Sequence, residues 1–73
     1  MPWIYNIRLY DLPIPFIIKN IDFDFDWYRL TSILPLNFIM KNSHLDFDWY
    51  LRTDELPIIF IINNKHLIFD WYL

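Results

Sequence analysis

The chain of 73 residues contains no cysteine and no glycine, and both absences constrain what it can be. Without cysteine there is no disulfide to staple a small fold, and no thiolate to hold zinc. Without glycine there is no phosphate-cradling loop of the kind that nucleotide-binding motifs require. Basic residues number only six, are not clustered, and are outweighed by nine acids for a net charge of −3. That balance argues against a nucleic-acid surface. Long apolar runs are missing as well. The longest, Ile58 to Ile62, is strand-sized and far short of the ~18 residues of a membrane span. The first residues, Met-Pro-Trp-Ile-Tyr-Asn, lack the basic and apolar regions of a signal peptide.

What is present is apolar mass. Hydrophobic residues make up 56% of the chain, a proportion incompatible with a disordered tail. The four tryptophans, five tyrosines and seven phenylalanines are too many for so small a body to bury, since small domains hide only about 60% of their unfolded surface. The excess is therefore expected to be covered by another copy or by a partner.

The chain repeats itself with a period of 22 residues. Pro13, Pro35 and Pro57 are equivalent, as are Phe16, Phe38 and Phe60, and Asn20, Asn42 and Asn64. The block Phe25-Asp26-Trp27-Tyr28 recurs as 47–50 and again as 69–72. Between residues 13–51 and 35–73, 23 of the 39 aligned pairs are identical, with no insertion or deletion. One repeat array over 1–73 follows, with a degenerate half-repeat at 1–12 and repeats at 13–34, 35–56 and 57–73. The last lacks the Arg-Thr-Asp-Glu-Leu segment, and neither end carries the polar cap usual in repeat arrays.

The residue pattern predicts an all-β fold. Residues 35–40 are rich in side chains that suit a pleated surface, and Lys41-Asn42-Ser43 supplies a turn through the tolerance of asparagine for left-handed backbone. Residues 44–51 alternate, with Leu45, Phe47, Trp49 and Leu51 on one face and Asp46, Asp48 and Tyr50 on the other, the period of a half-buried strand. Each repeat is then one β-hairpin of a meander or one coil of a solenoid. A strand-helix solenoid is the alternative, with Asp48 as a helix N-cap and Pro57 as the stop.

The spacing of Leu34-Pro35, Phe38, Phe47-Asp48, Leu51 and Leu56-Pro57, with the same pattern starting at Leu12 and Leu56, resembles the FNIP-type repeats of the leucine-rich class. The family's turn glycine has no counterpart. The resemblance implies a protein-binding scaffold without catalysis.

Candidate chemistry is sparse. Asp22, Asp24 and Asp26 alternate with aromatic residues and could present oxygen ligands to a hard cation, but the second repeat keeps only Asp46 and Asp48, and the third only Asp70. A solvated strand face explains them without a metal. His44 and His66 are equivalent, with Asp22 in the first repeat, and with Asp46 could bind zinc or copper; exposed turn histidines are the simpler account. Ser32, Ser43, Thr31 and Thr53 have no nucleophile-elbow context. No catalytic residue, cofactor or metal is therefore expected. The tryptophans are expected inside, and a stripe of Tyr28, Tyr50, Tyr72, Asp26, Asp48 and Asp70 outside as an interaction face. The reading that follows is a non-enzymatic structural protein that self-associates through apolar β surfaces into an oligomer, a filament or another polymer. The alternative is a monomeric module whose tyrosine-aspartate face binds a protein or glycan.

Overall fold

A computed structural model describes residues 9–72. Four α-helices occur in this range: α1 (Ile14–Lys19), α2 (Trp27–Leu30), α3 (Leu36–Lys41) and α4 (Ile58–Asn63). Two 3₁₀ turns, Leu9–Asp11 and Thr53–Glu55, complete the regular structure. Among the described residues there is no β-strand, so the all-β expectation is overturned, both as a hairpin meander and as a solenoid, and so is the strand-helix alternative. The degenerate half-repeat lies largely outside the described range.

The reason lies at the two ends of each short helix. Pro13, Pro35 and Pro57 immediately precede α1, α3 and α4 with φ near −60°, and each carbonyl accepts the first turn's N–H groups. Proline suits this boundary because it brings no donor and a φ already close to helical. Seven residues after the proline, the helix stops at Asn20, Asn42 or Asn64. The side-chain amide of each donates back to the carbonyl of Phe16, Phe38 or Phe60, at 2.7, 2.9 and 2.8 Å. At Phe16 and Phe38 the same carbonyl also accepts the asparagine's own backbone N–H, so the side chain adds a second bond to the last turn. The asparagines do not take the left-handed conformation expected of them. Their φ values are −115°, −120° and −131°, and no described residue has a positive φ. A chain built this way has no use for glycine at its turns.

The stretch expected as the second strand is broken by tight turns. Leu45 N–H donates to Asn42 O, and Phe47 N–H reaches only two residues back to Leu45 O, at 2.9 Å. A three-residue turn of this kind diverts the donor that a ladder would use. Residues 46–48 have no regular structure and join no ladder, and the chain then turns at 49–52. The alternation still separates inside from outside in part: Phe47 and Trp49 are buried while Asp46 and Tyr50 are exposed, but Leu51 is exposed against expectation.

Successive units stack along a body of 39 × 20 × 18 Å. A file of edge-to-face and tilted ring contacts links them. Trp27 packs against Phe38 and Phe47 of the next unit, at 6.1 and 5.8 Å between ring centres, and Trp49 packs against Phe60 and Phe69, at 5.4 and 6.2 Å. Ile17, Leu30, Leu34 and Ile39 fill the space beside them. A buried threonine pins each seam. Thr31 Oγ donates to Trp27 O at 3.0 Å and accepts from the amide of Asp48 at 2.8 Å; Thr53 does the same with Trp49 O at 2.8 Å and the amide of Asp70 at 2.9 Å. Arg52 reinforces the first seam, donating to the carbonyls of Thr31 and Leu34 while Glu55 accepts from its other nitrogens at 3.0 and 3.1 Å.

Candidate binding surfaces

The Phe-Asp-Trp-Tyr block divides its labour by residue type. Its phenylalanines, Phe25, Phe47 and Phe69, are buried. Its aspartates cap the turn that follows: Asp26 Oδ1 accepts from Arg29 N, Asp48 Oδ1 from Leu51 N and Asp70 Oδ1 from Tyr72 N, each at 3.2 Å. The Arg29 guanidinium adds an exposed ion pair to Asp26 at 3.3 Å. The capping considered for Asp48 therefore recurs in every described unit. Tyr28, Tyr50 and Tyr72 stand outside, exposed at 60%, 56% and 98%.

The expected tyrosine-aspartate stripe is only partly assembled. Tyr28, Tyr50, Asp46 and Asp48 line one open groove of about 560 Å³ that draws on all three units, with His44, His66 and Ile68 on its walls. Asp26, Asp70 and Tyr72 are not among its lining residues. Asp46, absent from the expected stripe, is the exposed carboxylate of this groove and has no hydrogen bond or ion pair among the described residues. No three histidine or carboxylate side chains among the described residues converge as a metal-holding group. Thr31 and Thr53, weighed as nucleophiles, are committed to the seams. Hydrogen bonding to Arg52 lowers the pKa of Glu55, against an opposing desolvation.

A second surface lies at the C-terminal end of the stack. Trp27 and Trp49 are each 6% exposed, whereas the equivalent Trp71 is 59% exposed, against the expectation that all three would lie inside. Ile17 and Ile39 are sealed at 0% and 1%, while the equivalent Ile61 is only half-buried. On α4, Ile58, Ile59 and Ile62 are all more than half exposed. Leu56, Ile58, Ile61, Ile62 and Trp71 enclose an apolar depression of about 360 Å³. Sequence reasoning anticipated an uncapped end but did not identify these residues; the signal was Ile58-Ile59 standing where the second unit has Leu36-Asn37.

No described helix is long and apolar enough to cross a membrane. Comparison with protein-family models, curated proteins and solved structures gives no match to this chain. The FNIP-type likeness therefore rests only on the residues that carry it.

Proposed function

We propose that the chain is a non-catalytic repeat protein that associates with a second copy through the apolar end formed by α4 and Trp71. The observation that carries this reading is the apolar depression lined by Leu56, Ile58, Ile61, Ile62 and Trp71, where Ile58, Ile62 and Trp71 are each more than half exposed. An apolar cluster of this kind marks an interaction site. Two open ends facing each other across a two-fold axis cover both at once. The β surfaces of the sequence-based expectation have no part in this association. Sedimentation velocity over a hundredfold range of concentration tests it. A monomer–dimer equilibrium that Trp71→Asp abolishes is the expected result. A persistent monomer removes the reading, and species that grow without limit replace the pair with a polymer.

A second reading, a recognition module, is favoured by the groove that draws on all three units, where exposed tyrosine rings and an unpartnered carboxylate face the same space.

A further inference from the structure

The chemistry of that groove narrows what it can receive, an inference that rests on the recognition reading just given. Two tyrosine side chains, Tyr28 from one unit and Tyr50 from the next, line it with more than half of their surface exposed. Asp46 and Asp48 add two carboxylates; the first has no partner and the second accepts a single backbone N–H, from Leu51. No lysine or arginine is among the lining residues to neutralise them. An electron-rich ring face attracts a cation, and a carboxylate pairs with the planar fork of a guanidinium through two hydrogen bonds. An anionic ligand would meet both carboxylates unshielded. A neutral glycan would stack on the rings and leave the charge uncompensated.

We propose that the groove lined by Tyr28, Tyr50 and Asp46 docks an arginine- or lysine-bearing segment of a partner protein. Charge complementarity selects this occupant. The Phe47 and Trp49 walls hold the groove in shape, because both side chains are fixed in the ring file, at 5.7 Å from each other. His44 and His66 also face the groove and would oppose a cation when protonated, so the test belongs at mildly alkaline pH, where a histidine carries no charge.

The experiment titrates the full chain with three short peptides of equal length, rich in arginine, lysine and glutamate, and with a neutral oligosaccharide. It follows the ring resonances of Tyr28 and Tyr50. The basic peptides are expected to shift both rings, with an affinity that falls as salt rises. Asp46→Asn, Tyr28→Ala and Tyr50→Ala are each expected to weaken binding roughly twofold to fivefold, and none of these side chains makes a hydrogen bond or ion pair among the described residues. If the glutamate peptide or the glycan moves these rings and the basic peptides do not, the cationic assignment falls and the recognition reading stands. If no probe moves them, both fall. Basic peptides that bind equally well to all three variants would be responding to the net charge of −3 alone, which also overturns the site.

Discussion

Thr53 Oγ lies 2.9 Å from the amide nitrogen of Asp70, seventeen residues further along the chain, and 2.8 Å from the carbonyl oxygen of Trp49 in its own unit. Thr31 repeats the arrangement with Asp48 and Trp27. One hydroxyl thus satisfies a donor from the following unit and an acceptor from its own, and it does so where water is excluded.

Thr31→Val keeps the shape of the side chain and removes both bonds. It leaves the Asp48 N–H and the Trp27 carbonyl without their partner, an expected loss of about 1–3 kcal/mol. Urea denaturation measures it. Thr31 is 1% exposed against 6% for Thr53, so Thr31→Val is expected to cost at least as much as Thr53→Val.

The three equivalent tryptophans should behave differently when truncated. Trp49→Ala opens a cavity between rings from two units and is expected to cost about 3–5 kcal/mol. Trp71→Ala removes a ring that is already 59% exposed and should cost much less in monomer stability. Thermal melts of the two variants at low protein concentration decide the comparison, and equal losses would contradict the burial described for Trp49.

Asparagine at position 42 is held at φ −120° by a bond from its side chain, not by a preference for left-handed backbone. Asn42→Gly should therefore destabilise, by about 1 kcal/mol, through the lost bond to Phe38 O and the freer unfolded chain. At a left-handed helix end the same change would be neutral or favourable. A stability gain from Asn42→Gly would mean the turn is left-handed in solution.

Glu55 gives the chain one component of acid sensitivity. Its pKa is lowered in the folded state by the Arg52 guanidinium, so its contribution is present above the carboxylate's unfolded range and is lost as pH falls through the lowered value. Glu55→Gln should flatten that part of the stability-against-pH curve while leaving the neutral-pH fold intact, as read by melting temperature at several pH values. A curve unchanged by the substitution would show that the Arg52 pair adds nothing measurable in solution, as many exposed pairs do not.

The period of 22 and the interior place of Phe25, Phe47 and Phe69 were legible in the sequence, because both depend on which residues recur and on their hydrophobicity. The backbone was not. Residues 36–41 form a helix too short to display a helical period, and their isoleucine, phenylalanine and methionine fit a pleated surface equally well. The deciding terms were Pro35 before the helix and the Asn42 amide after it, both of which also fit the strand-and-turn reading. In 44–51 the alternation was real, but two-residue spacing also arises when an extended stretch passes into a tight turn. Thr31 and Thr53 left a trace, recurring four residues after a tryptophan, yet nothing in one sequence says that a hydroxyl spans a seam. The Tyr28–Tyr50 groove required knowing that neighbouring units stack, and Asp46, read as an outward-facing residue, lay outside the recurring Asp-Trp-Tyr block from which the stripe was drawn.

The threonine at each seam gives the stack a grammar. A unit offers a hydroxyl on one flank and presents a backbone amide on the other, so any two units bearing these groups are already matched. Material can be added or removed in whole multiples of the period, and each new junction finds the pairing it needs. An insertion of any other length puts the hydroxyl opposite the wrong amide and silences the seam, which is why the spacing tolerates no slippage while many of the side chains between its fixed points vary.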